Sequence, residues 1–243
     1  MMRLVFSFIF LIVSFTSMYS SDSFDEFEEE IKVEKRIDPL SGFNRVMTSF
    51  NDVTYEYVLS PVARTYGDVV HEDIRKGIKN IFHNLLFPVR FVNNVLQLKF
   101  QNALEETERF VLNSTIGIFG FVDVGQDSFK IYPHNEDFGQ TLGYWGVGSG
   151  FHIVWPFFGP SNLRDSIGSF GVDSYLNPTS YYEDRAHNLV NNYEDSIGLK
   201  VFEQVNNISF TYKNYETMKK DAIDLYPFLR DSYEQYRKKQ IEE

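Results

Sequence analysis

Over residues 42–59 the apolar set Phe43, Val46, Met47, Phe50, Val53 and Tyr57 keeps the three-and-four spacing of a helix, with Asn44, Arg45, Thr48 and Asn51 on its other side. A second helix is predicted to start near His71 to Asp73 and to carry Ile74, Ile78, Ile81, Phe82 and Leu85. It must stop or bend before Pro88, which has no amide hydrogen and can open the next helix. The clearest pattern is KFQNALEETERFVLNST. It sets Phe100, Ala103, Leu104, Thr107, Phe110 and Val111 on one face and Glu105, Glu106, Glu108 and Arg109 on the other. Glu105 and Arg109 stand at the i, i+4 spacing of a helical ion pair.

The pattern changes at IGIFGFVDVG, residues 116–125, where apolar residues lie side by side. A buried strand or core loop fits this run, as does a short piece dipping into lipid. Ser161 or Asn162 offers an N-cap for a helix carrying Leu163 and Ile167. The remainder reads as helical: the run from Tyr181 to Phe210 shows no strand alternation, and YPFLRDSYEQYRKKQ is expected to start a helix at Pro227 and end it with Arg237, Lys238 and Lys239. The class is mainly α.

Between these helices lies the least ordinary stretch. Residues 134–165, HNEDFGQTLGYWGVGSGFHIVWPFFGPSNLRD, set Gly143, Gly146, Gly148 and Gly150 among Phe, Tyr and Trp, with no charge from Gln140 through Leu163. Glycine admits positive φ and close backbone approach, so this stretch reads either as a connector packed on the core or as a loop that bends.

Composition narrows the classes. A chain of 243 residues with 43% hydrophobic content can build one sizeable domain. Its 24 Phe, 15 Tyr and 2 Trp make 17% aromatics, which suits a lipid interface and equally a Phe-rich core. A net charge of −11 argues against nucleic acid and against electrostatic docking on anionic lipid, so any membrane contact should be apolar. With no cysteine, disulfides, thiolate metal sites, Cys nucleophiles and thioether lipid anchors are excluded together. The five histidines, 71, 83, 134, 152 and 187, show no ligand spacing, and neither a metal nor a cofactor is expected.

The N-terminus has Arg3 ahead of an apolar run from Leu4 to Phe15, then small polar residues, which reads as a signal peptide over residues 1–20, with an uncleaved anchor as the alternative. Residues 21–37, dense in charge, read as an acidic tether, and the domain is expected over 38–240.

Catalytic motifs are not found. GVGSGF has Val147 where a nucleophile elbow needs glycine, and Gly146, Gly148 and Gly150 run G-x-G-x-G rather than G-x-G-x-x-G. His134, Asn135, Glu136 and Asp137 could bind a metal or serve acid/base chemistry, but four polar residues after Pro133 more often make a capped turn. No catalytic residue is assigned.

Taken in order, DPLSGFNRVMTSFND, YVLSPVARTYGDVV, NLLFPVRFVNNVLQLKF, RFVLNSTIGIFGFVDV, EDFGQTLGYWGVGSGFHIVWPFFGPSNLRD, DSYLNP and YPFLRDSYEQYRKK resemble successive blocks of the MlaA (VacJ) family of Gram-negative outer-membrane phospholipid-transport proteins. The resemblance implies a single ring-like domain of amphipathic helices lying in the inner leaflet of the outer membrane around a polar channel. It implies removal of mislocalised phospholipid from the outer leaflet and its transfer to a periplasmic carrier of the MlaC type, beside a porin trimer, with no chemistry on the lipid. Members of the family typically carry a lipobox cysteine, and here none is present, so no lipid anchor is expected. Phe43, Asn44, Phe50 and Asn51 on the first helix and Gly143, Gly146, Gly148 and Gly150 are the candidates for the lipid path or its gate. A periplasmic hydrolase using His134 and Asp137, and an envelope protein that binds porin without moving lipid, are the competing readings.

Overall fold

The first helix does not end where its apolar pattern weakens. In the computed structural model, which describes residues 38–185 and 188–242, α1 (Ser41–Thr54) passes through one π-helical turn, Tyr55–Leu59, directly into α2 (Ser60–Val69). Pro61 falls in the first turn of α2, where a missing amide hydrogen is tolerated. The signal peptide, the acidic tether and His187 lie outside the described residues. From Leu40 onward the chain forms one compact unit.

Local rules place most of the boundaries that follow. His71 caps α3 (Glu72–Leu85) by accepting from the Asp73 amide at 3.3 Å, with Glu72 and Asp73 in the first turn against the helix dipole. Pro88 sits in the first turn of α4 (Phe87–Leu96), and α5 spans Phe100–Thr115. Asp123 caps the short α6 (Val124–Asp127). Asp137 and Gln140 form a reciprocal capping box on α7 (Phe138–Tyr144), at 2.8 and 3.1 Å, so the polar run after Pro133 is a capped turn.

Three expectations change here. Residues 116–123 are turns rather than a buried strand or core loop: Ile116, Ile118 and Phe119 are exposed, and Ile118 and Phe119 take positive φ, which no strand allows. The Gly-aromatic stretch contains a small antiparallel sheet, β1 (His152–Trp155) with β2 (Gly159–Asn162), pairing His152 with Asn162 and Trp155 with Gly159. The helical run expected from Tyr181 begins only at Tyr193, where Asn192 accepts from the Asp195 amide at 2.8 Å and supplies the cap.

Asn162 closes the hairpin and caps α8 (Leu163–Gly168) through the Asp165 amide at 2.8 Å. A second π-helical turn, Ser169–Asp173, leads to α9 (Ser174–Leu176). The chain ends in α10 (Tyr193–Asp221) and α11 (Leu225–Glu242). α10 packs on α2 and α3, α4 on α5, and α7 on α8 and α11, while the hairpin contacts α1 and α11.

The orientation of the amphipathic faces is the main departure from an ordinary soluble domain, where the apolar stripe turns inward. On α1 the apolar face carries Phe43, Val46, Phe50 and Val53 at 41 to 61% exposure, while Asn44 and Thr48 are buried. On α5, Phe100, Leu104 and Val111 are more than half exposed, while Glu106 and Arg109 are 0% and 2% exposed. The expected Glu105–Arg109 pair therefore does not form: burial draws Arg109 to Asp123 at 2.8 Å, and Glu105 meets His134 at 2.7 Å. The largest fully buried side chains are Arg109, Gln97, Glu106, five asparagines and Thr179. Among the described residues, no helix is long and apolar enough to cross a membrane.

Candidate functional site

A polar interior is stable only if its groups satisfy one another, because an unpaired buried charge costs several kcal/mol. Three networks pair the buried charges in this way, with Asn94 Oδ1 and Arg109 Nε the atoms in them left without a hydrogen-bond partner among the described residues. In the first, Arg90 Nε donates to Glu106 Oε2 at 2.6 Å and its Nη1 to the His83 carbonyl at 2.6 Å. Glu106 Oε1 takes the His134 amide at 2.6 Å, and Asn94 Nδ2 reaches the carbonyls of Arg90 and His134. Burial, reinforced by the Arg90 charge, pushes the His83 imidazole down to about 4.

The second network ties α5 to the turns after it. Arg109 donates to Asp123 Oδ2 at 2.8 Å and to the Ile131 carbonyl, and Asn113 bridges Asp123 Oδ1 and the Gly125 amide, each at 2.9 Å.

The third joins α7, α8 and α11. Arg237 donates to Asp165 Oδ2 at 2.8 Å and, through both terminal nitrogens, to the two Asp137 oxygens at 2.7 and 2.8 Å. Tyr233 Oη adds a bond to Asp165 Oδ2 at 2.8 Å, and Arg164 Nε donates to Asp165 Oδ1 at 2.9 Å. Burial disfavours both charges. The bonds to Asp137 and Asp165 outweigh it, so the Arg237 pKa rises, and those from Arg237 hold Asp165 below the usual carboxylate range. Beside this network, Asp173 accepts the Phe138 amide on both oxygens at 3.0 Å and Asn93 Nδ2 at 3.0 Å. Burial, with the nearby Asp137 charge, pushes its carboxyl up to about 6.

Three of the sequence candidates, Asn44, Phe50 and Asn51, meet the hairpin. Asn44 donates to the His152 carbonyl at 3.0 Å and to Tyr226 Oη at 3.1 Å, and accepts the Val154 amide at 2.8 Å. Two turns on, Asn51 donates to the Trp155 carbonyl at 2.9 Å and accepts the Phe157 amide at 2.7 Å. The two amides thus stand in for a neighbouring strand along β1. Phe43 and Phe50 lie on the exposed side of the same helix, and Phe50 meets Phe157 edge-on at 5.1 Å between centroids. Phe158 extends the exposed surface and touches Phe170.

The glycines divide. Gly143 is inside α7, where a Cβ would lie 2.6 Å from Ile241 Cδ1. Gly146 (φ 86°) and Gly150 (φ 70°) hold positive φ after α7, and Gly148 between them has open space around it. His134 and Asp137 do not form a catalytic pair: the first binds Glu105 and the second caps α7 and binds Arg237. No group of three or more His, Asp or Glu able to hold a metal occurs among the described residues.

Sequence reasoning missed Glu106, Arg109, Asp165 and Arg237 as the centres of the interior. Their only sequence signal is charge at a helical position, which an exposed residue also carries.

The family model described as MlaA lipoprotein matches residues 36–240. The chain belongs to the MlaA family. A relative from Escherichia coli K12, the intermembrane phospholipid transport system lipoprotein MlaA, is 40% identical over 145 residues, covering 58% of this chain and 57% of that protein. A protein of Rickettsia bellii is 28% identical over 207 residues, covering 84% of this chain and 77% of its own length. A solved structure described as the structural basis for maintenance of bacterial outer membrane lipid asymmetry superposes with a TM-score of 0.70 at 31% identity, over 85% of this chain and all of that one.

Proposed function

We propose that this chain is the outer-membrane component of intermembrane phospholipid transport, removing mislocalised phospholipid from the outer leaflet and passing it to a periplasmic carrier of the MlaC type. The observation that carries the reading is the reversed polarity of α1 and α5: Phe43, Phe50, Phe100, Leu104 and Val111 face outward while Asn44, Glu106 and Arg109 are buried. In water that arrangement exposes large apolar patches, whereas in a bilayer leaflet the outward faces meet acyl chains and the inward charges keep their ion-pair partners. Membership of the MlaA family and the name of the Escherichia coli relative point to the same role.

On this reading the protein sits at the periplasmic side of a Gram-negative outer membrane beside a porin trimer. The exposed aromatics of α1 and the hairpin contact lipid. The segment Gly146 to Gly150 bends to open or close the path. The chemistry is binding and release without bond cleavage.

The test is outer-leaflet phospholipid in intact cells with and without the gene, read with a membrane-impermeant amine label and restored by complementation. More label in the absence of the gene is the expected result. An unchanged level, in a strain with no second homologue, overturns transport in favour of a protein that binds porin without moving lipid.

A further inference from the structure

The described residues border a cavity of about 320 Å³ between α11, the start of α5 and the turn before α7, within the usual range for small-molecule sites, roughly 300–1,000 Å³. The basic and acidic side chains that line it are all engaged: Lys99 pairs with Glu136 and His134 with Glu105, both at 2.7 Å, and Lys239 has a partner of its own. An ion entering here would have to break a pair. An uncharged ligand would not.

Glu136 is the fixed point of the cavity. Its side chain is 8% exposed, with Gln97 Nε2 on Oε2 and Lys99 Nζ on Oε1, both at 2.7 Å. The Gln97 amide also donates to Thr141 Oγ1 at 3.2 Å, Thr141 to Asn93 Oδ1 at 2.8 Å, and Asn93 to Asp173 at 3.0 Å. This buried chain holds the carboxylate in place, and each of its oxygens can accept a further hydrogen bond. Around it lie polar groups with unspent capacity. Asn102 makes no hydrogen bond among the described residues, Asn135 spends only Oδ1 of its side-chain amide, on His83 Nε2 at 3.1 Å, and Tyr236 Oη accepts from Gln240 at 3.1 Å and keeps its own proton.

A fixed carboxylate with an open acceptor site on each oxygen matches two hydroxyl donors on neighbouring carbons. A carboxamide, donor and acceptor in one group, matches the same hydroxyls from the other side, since each hydroxyl oxygen also accepts. The exposed Tyr236 ring offers an apolar surface to the carbon side of such a ligand. We propose that this cavity binds an uncharged 1,2-diol, carried by a lipid headgroup or by a sugar, with Glu136 accepting from both hydroxyls and Asn102 and Asn135 donating to their oxygens. The proposal goes beyond the transport reading and does not depend on it.

The test titrates the full chain by calorimetry in lauryldimethylamine oxide, a detergent without hydroxyl groups, against micelles free of protein. The probes are dihexanoylphosphatidylglycerol, whose head ends in a 1,2-diol, dihexanoylphosphatidylethanolamine, whose head has none, and methyl glucoside. Saturable binding of the phosphatidylglycerol or of the glucoside, with the phosphatidylethanolamine bound far more weakly, is expected. Asn102 is only partly buried, so Asn102→Ala is chosen to leave the fold intact, and circular dichroism checks this and the isosteric Glu136→Gln. Affinity should fall about fivefold in Asn102→Ala, for loss of one neutral hydrogen bond, and about tenfold in Glu136→Gln, for loss of a charged acceptor. Binding of the phosphatidylglycerol alone assigns the diol to a lipid headgroup and binding of the glucoside alone to a sugar, and each upholds the site. No saturable binding of either diol overturns the proposal, as does equal affinity in wild type and Asn102→Ala. Equal binding of the two lipids with none of the glucoside overturns diol recognition. Transport is read separately, by outer-leaflet phospholipid in cells.

Discussion

Arg237 Nε and Asp165 Oδ2 lie 2.8 Å apart with side chains 8% and 4% exposed, and this pair fastens the C-terminal helix α11 to α8. The same guanidinium grips Asp137, the N-cap of α7, with its other two nitrogens, so one side chain holds three elements. Replacing Arg237 with alanine leaves Asp137 and Asp165 with no charge partner from α11. The expected loss is about 3–5 kcal/mol, read from chemical denaturation in detergent. Arg237→Lys recovers only part of it, since an ammonium lacks the planar fork that reaches both carboxylates. Wild-type stability in Arg237→Ala would refute the role of this network.

The Asn44 amide should matter more than the Asn51 amide. Asn44 is fully buried and bonds His152, Val154 and Tyr226, whereas Asn51 bonds Trp155 and Phe157 at a partly exposed position. Asn44→Ala strands buried groups of β1 at about 1–3 kcal/mol each, so its midpoint of unfolding should fall well below that of Asn51→Ala. The reverse order would show that the hairpin is held by its aromatic contacts instead.

Backbone sign separates the glycines. At Gly146 and Gly150 a valine must adopt positive φ, at a cost of about 1–3 kcal/mol, and at Gly150 its Cβ also falls 2.9 Å from Leu163 Cβ. Gly148→Ala meets neither obstacle. Thermal unfolding should rank Gly150→Val and Gly146→Val below Gly148→Ala. If the segment must bend for transport, Gly146→Val should also raise outer-leaflet phospholipid in cells, and normal asymmetry in that variant would remove the gating role.

Two buried groups oppose one another between pH 4 and 6.5. The Asp173 carboxyl is raised to about 6, so its contribution to stability is full below its unfolded pKa near 3.8 and is lost as pH rises through 6. His83 is lowered to about 4 from its unfolded value near 6.5, so its contribution is present above 6.5 and is lost as pH falls through 4. Each pKa unit corresponds to about 1.4 kcal/mol, and the two slopes have opposite signs. Relative to wild type, Asp173→Asn should therefore lose stability more steeply as pH falls from 6.5 to 4, and His83→Gln should gain in the same window. Parallel curves for all three proteins, from urea titrations at fixed pH, would contradict both assignments.

Much of the local structure was readable along the chain. The apolar spacing in α1 and α5, the proline opening α4, the capped turn ending at Asp137 and the Asn162 cap all follow from rules that act within a few residues. The hairpin was not readable, because β1 and β2 are four residues each and their stability comes from Asn44 and Asn51, over a hundred residues away from their partners. The candidates Phe43, Asn44, Phe50 and Asn51 do share one helix with the Gly-aromatic hairpin packed on it, a juxtaposition that spacing within either segment could not reveal.

What the sequence determined by itself was the division of each helix into an apolar and a polar face. Which face turns inward was decided only by tertiary structure. Helical periodicity is the same pattern whether the stripe of Phe43 and Phe50 or the stripe of Asn44 and Thr48 is buried, and the choice depends on partners. Glu106 turns inward because Arg90 and the His134 amide await it, and Arg109 because Asp123 and the Ile131 carbonyl do. Those partners are distant in the chain or on other elements, and only their convergence offsets the cost of taking the charge out of water.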